Sequence, residues 1–255
     1  MTNIGIVTNL LNISLGAFGC SREPQMKEPP KTSPATERPS ATGNIEINDM
    51  DAPNTHWESA DWENGGVFNC VWRPGNISFK DSIMSIELKK EENKDYVYIS
   101  GEYRSKKEYG FGHYEARMKA ASGNGLVTSF FVYRGTHGSN DHHEIDIEIL
   151  GKNPRQMQLN YFVEGKEGKK AVIDLQFDTS KDFHTYGFDW TDKSIEWFVD
   201  GKSVYKVEER APYLPGKIMM NLWPGTQEVS EWLGGTYNGE GTTAEYDWVK
   251  YEKAE

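Results

Sequence analysis

The sequence predicts an all-β fold, two antiparallel sheets stacked as a sandwich, and three observations predict it. Short runs of β-branched and aromatic residues alternate with polar ones at period 2, each run is closed by Gly, Asn, Asp or Pro, and no amphipathic stretch is long enough for a three-turn helix. Strands so short and so numerous must bury their apolar faces against each other, which two stacked sheets achieve. The composition agrees: 8 Trp, 13 Tyr and 11 Phe beside 25 Gly suit a β-protein with many turns and a groove lined by rings.

Along the chain, the small residues Leu15-Gly16-Ala17-Phe18-Gly19-Cys20 run into a cysteine as a lipoprotein export signal does, although no Lys or Arg precedes Arg22 and Phe18 is bulky. The expectation is a secreted or cell-surface chain with Cys20 as the candidate lipid anchor. Residues 21–50 carry Pro24, Pro29, Pro30, Pro34 and Pro39 among Ser, Thr, Glu and Lys, the composition of an extended, solvated tether. The chain therefore divides into a signal segment (1–20), a tether (21–50) and a folded domain (51–255). Within that domain the strand runs are 83–88, 96–99, 113–118, 127–133, 156–163 and 195–199. Asp200-Gly201, between the last of these and Ser203-Val204-Tyr205, is a two-residue hairpin signal, because both central residues of a type I′ turn need positive φ.

Several function classes fall away. Lys and Arg number 28 against 39 Asp and Glu, and a net charge of −11 repels a phosphate backbone, so nucleic acid is not the partner. The apolar-leaning residues 4–18 are broken by Asn9 and Asn12 and fall short of the roughly 20 residues of a membrane span. Two cysteines exclude a disulfide scaffold and a Cys-based zinc ribbon.

The chemistry is concentrated in Glu144-Ile145-Asp146-Ile147-Glu148-Ile149. Alternate residues of a strand share a face, so three acids point one way and three isoleucines the other. Carboxylates roughly 6.6 Å apart along one face repel and raise one another's pKa values, which no stability argument requires. Glycoside hydrolysis does require it: a retaining enzyme pairs an ionised nucleophile with a protonated acid, about 5 to 5.5 Å apart. The outer two Cα atoms are roughly 13 Å apart in an extended strand, so their side chains must lean together, with Asp146 between them to share a proton. A solvated acidic strand face is the plain alternative. A calcium loop would need a turn with Gly, absent from this run. A zinc site from His137, Asp141, His142, His143 and Glu144 is disfavoured, because adjacent strand residues face opposite ways and His142 and His143 do not easily share one ion.

Glu144-Ile145-Asp146-Ile147-Glu148 with Leu150-Gly151-Lys152 resembles the signature of glycoside hydrolase family 16, and within it the bacterial lichenases (endo-1,3-1,4-β-glucanases). The resemblance continues through Asn64-Gly65-Gly66-Val67-Phe68-Asn69-Cys70-Val71-Trp72, Gly101-Glu102-Tyr103-Arg104-Ser105, Gly112-His113-Tyr114-Glu115-Ala116-Arg117-Met118, Met220-Asn221-Leu222-Trp223-Pro224-Gly225, Glu231-Trp232-Leu233-Gly234 and Tyr246-Asp247-Trp248, and covers residues 56 to 252. It implies a jelly-roll sandwich with a substrate cleft across a concave sheet, retaining double displacement on mixed-linkage 1,3-1,4-β-glucan, and no cofactor for the chemistry. Glu144 would be the nucleophile, Glu148 the acid/base and Asp146 their helper; Asn64, Glu102, Arg104, His142, Asn160, Phe162, Asn221, Trp223 and Trp232 would contact sugar. Any single Trp in so aromatic a chain belongs to the core by default. Laminarinases, agarases and carrageenases of the superfamily carry one extra residue between the Asp and the last Glu, which this chain lacks, and the plant xyloglucan branch carries a C-terminal extension with cysteines, whereas this sequence stops at Glu255. Other β-glucan activities of the family and a non-catalytic glucan-binding module stay as alternatives.

Three departures from the family pattern bear on expectation. His142-His143 stand where lichenases have Trp-Asp, so a stacking platform beside the glycone subsites is changed. The usual disulfide partner of Cys70 falls near Ser100, leaving Cys70 a buried thiol. The structural calcium of the family would take Asp247 as a ligand, with a second ligand position altered near Ile83. A cleft enzyme of this size has no evident need to oligomerise, and a monomer is expected.

Overall fold

The computed structural model describes residues 45–91 and 96–254. The export signal, the Cys20 anchor and most of the tether lie outside them. In chain order the strands are β1 (Ile45–Asn48), β2 (Trp57–Ser59), β3 (Cys70–Trp72), β4 (Ile77–Lys80), β5 (Ile83–Lys90), β6 (Tyr98–Ser100), β7 (Glu102–Tyr109), β8 (Gly112–Lys119), β9 (Leu126–Arg134), β10 (His143–Leu150), β11 (Gln156–Val163), β12 (Lys166–Glu167), β13 (Ala171–Asp174), β14 (His184–Trp190), β15 (Ile195–Val199), β16 (Lys202–Val207), β17 (Gly216–Pro224) and β18 (Gly241–Lys253). Each run predicted from the alternation holds a strand, although in 96–99 the strand starts only at Tyr98. Among the described residues the α-helix is a single turn, α1 (Ser230–Leu233). Asp200 and Gly201 have φ of 48° and 70° between β15 and β16, the left-handed pair that the hairpin needs.

Two sheets form. One runs β16-β15-β14-β8-β18-β5-β6-β3, with β1 on β18 and β4 on β5; the other runs β12-β11-β10-β9-β17-β7-β2, with β13 on β11. Among the described residues all pairings are antiparallel except β3 with β6. Strands far apart in sequence lie side by side, as in a jelly roll. Both sheets turn their apolar residues inward: Ile145, Ile147, Ile149, Phe130, Val132 and Leu222 from one meet Met84, Ile86, Tyr114, Phe188 and Trp197 from the other in one continuous core. Trp72, Trp190 and Trp197 are fully buried there and Trp248 is fully buried as well, so at least half of the eight tryptophans serve packing, as so aromatic a chain requires.

Two side chains reach from one layer to the backbone of the other. The buried Tyr246 hydroxyl, from β18, donates to the carbonyls of Ser129 (2.9 Å) and Asn221 (3.3 Å) in the opposite sheet, and Ser100 Oγ donates to the carbonyl of Leu222 at 2.5 Å. Cys70 is a buried free thiol, one strand away from Ser100.

The tether assignment ends too late. Ile45 to Asn48 pair with β18 from Glu252 back to Val249, Asn48 is buried, and Met50 is wholly enclosed in the core. The folded domain begins by residue 45 rather than 51, because the exposed edge of β18 offers unpaired backbone groups that a short strand can satisfy.

Candidate active site

The acid face of β10 lies in unbroken register between two neighbours, so parity alone sets its surroundings. Glu144 sits between Tyr133 and Phe162, Asp146 between Phe131 and Asn160, and Glu148 between Ser129 and Gln158. The same parity carries outward. Met219 lies opposite Phe131 and Asn221 opposite Ser129 on β17, and beyond them come Arg104 and Glu102 on β7. The result is a lattice of polar and aromatic side chains on the outer face of this sheet, with the isoleucines of β10 holding it to the core.

These side chains floor a cleft of about 700 Å³, edged by the rings of Trp62, Phe68, Trp223 and Trp232 and by the loop carrying Asn64. Glu144, Asp146 and Glu148 line it together, as do Asn64, Glu102, Arg104, Asn160, Phe162, Asn221, Trp223 and Trp232, all expected from the sequence. Arg104 is held by Glu58 at 2.9 Å and lies 4.3 Å over the Trp62 ring. Asn221 donates to Glu102 at 3.3 Å and accepts from the Ser129 hydroxyl.

The electrostatics separate the three acids. Burial holds Asp146 well above its ordinary value, and the charges of Glu144 and Glu148 add to that; it keeps its proton and shares a hydrogen bond with Glu144. Glu148 shows part of its surface to the cleft yet is surrounded by protein, and desolvation raises it to about 7, with the Glu144 charge pushing the same way and a Gln158 hydrogen bond resisting. Gln158 is fixed at both ends: its Nε2 donates to Glu148 Oε2 at 2.9 Å, and its Oε1 accepts from Trp232 Nε1 at 3.0 Å. A protonated carboxyl on Glu148 thus stands four residues along the same strand face from Glu144, whose oxygens receive hydrogen bonds, the division of labour that acid-assisted displacement needs. Glu102, buried deeper along the cleft, is also raised to about 7 by desolvation.

Residues 64–250 match the glycosyl hydrolases family 16 pattern, from the Asn64 loop to the strand that pairs with β8. The chain belongs to family 16. A beta-glucanase of Acetivibrio thermocellus is 49% identical over 198 residues, which are 78% of this chain and 59% of that protein, so the chain spans about three-fifths of that relative's length. A beta-glucanase of Paenibacillus macerans is 49% identical over 197 residues, covering 76% of this chain and 82% of that one. Among solved structures, a prokaryotic beta-1,3-1,4-glucanase (lichenase) derived from a mouse hindgut metagenome superposes with a TM-score of 0.78 at 42% identity, over 83% of this chain and all of that one. The jelly-roll sandwich is therefore the fold of family 16 relatives.

Against that family 16 background, two sequence expectations need correction. His142 was expected at the sugar, as a reduced stacking platform. It has no exposed surface: its ring packs on Phe162 beneath the cleft, and its Nε2 lies 2.6 Å from Glu144 Oε2. Asp247, the expected calcium ligand, lies in the other sheet with the Arg117 guanidinium 2.5 Å from its carboxylate. A dication on that carboxylate would face the guanidinium charge, and these residues do not fit a calcium ion there. His143, named in the zinc reading, is buried and turns into the protein against Tyr213.

Sequence reasoning missed Gln158, Ser129, Phe131 and Tyr133, which complete the floor. Their signal was present, since Gln158 shares a face with Asn160 and Phe162 two and four residues on. It becomes readable only once the partner register of β10 is known.

Proposed function

We propose that this chain is an endo-acting, retaining hydrolase of mixed-linkage 1,3-1,4-β-glucan. The observation that carries the reading is the β10 face, where Glu148 holds its proton to about 7 beside a Glu144 that accepts hydrogen bonds, on the floor of a cleft edged by indoles. In the first step Glu144 attacks the anomeric carbon while Glu148 passes its proton to the departing glycosidic oxygen. In the second, Glu148, now ionised, takes a proton from water as the water oxygen displaces Glu144. Neither step calls for a metal or organic cofactor. The floor runs from β11 to β7, four strand spacings or roughly 19 Å, long enough for several sugar rings in a row, which supports cleavage within a chain rather than at its end. The unbroken register of β10 supports the mixed-linkage branch, as do relatives called beta-glucanase at 49% identity and the lichenase neighbour. A polymer of this kind is met outside the cell, in keeping with export of the chain.

The test is reducing-sugar release by the purified protein from barley β-glucan, lichenan, laminarin, cellulose and xyloglucan. Mixed-linkage glucans should be cleaved fastest, and Glu148→Gln should lower turnover by roughly 10²- to 10⁴-fold with the fold kept, and Glu144→Gln by at least as much. Faster cleavage of laminarin or xyloglucan would overturn the substrate, and binding without release from any glucan would overturn the enzyme.

A further inference from the structure

The two-carboxyl mechanism leaves one buried contact unused. His142 precedes β10 on a loop that folds back on itself: its amide donates to the Ser139 carbonyl at 3.1 Å, and its carbonyl accepts from the Gly165 amide at 2.9 Å. The loop opens at Gly135, with φ of 85°, where any side chain would collide with the Asp141 backbone. The ring so placed packs on Phe162, with centroids 4.7 Å apart and planes at 27°, and has Tyr133 at 5.2 Å and His137 at 5.0 Å. It has no room to turn.

Its hydrogen bonds specify where the proton sits. The Gly138 amide donates to Nδ1 at 3.2 Å, so Nδ1 is an acceptor and carries no hydrogen. The single proton of the neutral ring is then on Nε2, 2.6 Å from Glu144 Oε2. A second proton would have to point from Nδ1 at the Gly138 N–H, donor against donor. The contact is a fixed N–H donor aimed at a carboxylate, short as charge-assisted bonds are.

We propose that His142 is a positioning residue for Glu144, a neutral imidazole that holds the nucleophile's carboxylate and favours its departure from the glycosyl-enzyme. The proposal rests on the reading of Glu144 as nucleophile. In the first step a Glu144 oxygen forms a bond to the anomeric carbon and the carboxylate loses its charge, so the bond from Nε2–H weakens. In the second, water adds to that carbon, its proton goes to Glu148, and the electron pair of the breaking C–O bond returns to Glu144. Charge reappears on the oxygens that Nε2–H faces, and the bond regains its strength. Removal of the donor should therefore slow the second step selectively.

His142→Phe keeps the ring packing and removes the donor; His142→Gln returns an N–H at a similar reach. With an activated aryl β-glycoside of a glucan disaccharide, His142→Phe should lower kcat by roughly 10- to 100-fold, the size expected for a hydrogen bond to a charged group. KM should fall with it and an aryl-alcohol burst should appear, because glycosyl-enzyme accumulates. His142→Gln should recover part of kcat and lose the burst. A merely structural residue would lower kcat/KM without a burst or a fall in KM, and that result, or unchanged kinetics, overturns the proposal. Nitrogen-15 NMR of the histidines in the unaltered protein tests the tautomer without any variant, with a protonated Nε2 and bare Nδ1 expected for His142; a proton on Nδ1 overturns it. Labelling with a 2-deoxy-2-fluoro glycoside and mapping the modified peptide separates the two levels. Label on a residue other than Glu144 defeats the nucleophile reading, whereas label on Glu144 with unchanged kinetics in His142→Phe defeats only this proposal.

Discussion

Glu148 keeps its proton through a balance of opposing contacts, and that balance sets an alkaline limit on activity. With desolvation holding it at about 7, the acid form is lost as pH rises through that value, and kcat/KM for mixed-linkage glucan should fall above about pH 7. Gln158 stabilises the ionised form, so Gln158→Met should move the alkaline limb to higher pH; an unmoved or lowered limb would show that another group controls it. Of this residue-scale picture, the three acids were legible because strand parity puts them on one face whatever the fold. The role of His142 was not legible. A stacking platform and a buried donor can occupy the same sequence position, and only the path of the loop before it, which brings Gly138 to one ring nitrogen and Glu144 to the other, distinguishes them.

Among the elements, β1 was hidden for a related reason. Four residues of alternating pattern are too few to read as a strand after a proline-rich stretch, and the partner that gives them hydrogen bonds lies about two hundred residues away in β18. The longer strands carried their own pattern, and the turn at Asp200-Gly201 its own chemistry, so both were readable locally. The consequence for truncation is direct. Removal of residues 1–44 should leave the melting temperature and specific activity unchanged, whereas removal of 1–50 strips β1 and the enclosed Met50 and should cost about 2–5 kcal/mol, the range for truncating a large buried side chain. Urea melts of the two shortened chains check this, and equal stability would show that β1 does not hold.

For the whole molecule, the acids that serve chemistry tax the fold. Moving a carboxyl from 4.5 to about 7 costs its ionised form about 3 kcal/mol at most, a penalty fully present above pH 7 and absent below pH 4.5, where the group is protonated folded or unfolded. Glu148→Gln, neutral and of the same shape, should raise the melting temperature at pH 8 and leave it unchanged at pH 4, even as turnover collapses; a lower melting temperature at pH 8 would show that the carboxylate is not strained there. The sandwich was legible from alternation and turns because every strand needed a partner face, while which strands would neighbour each other depended on long connections that local patterns do not encode. Tyr246 adds a consequence of its own. Its hydroxyl reaches across the core to the backbone under Ser129 and Asn221, so the catalytic floor is tied to the far layer. Heat should then inactivate the protein and unfold it in one cooperative event. In Tyr246→Phe, which leaves those two carbonyls without their donor, both events should shift down together; loss of activity well ahead of unfolding would mean that the floor can come loose by itself.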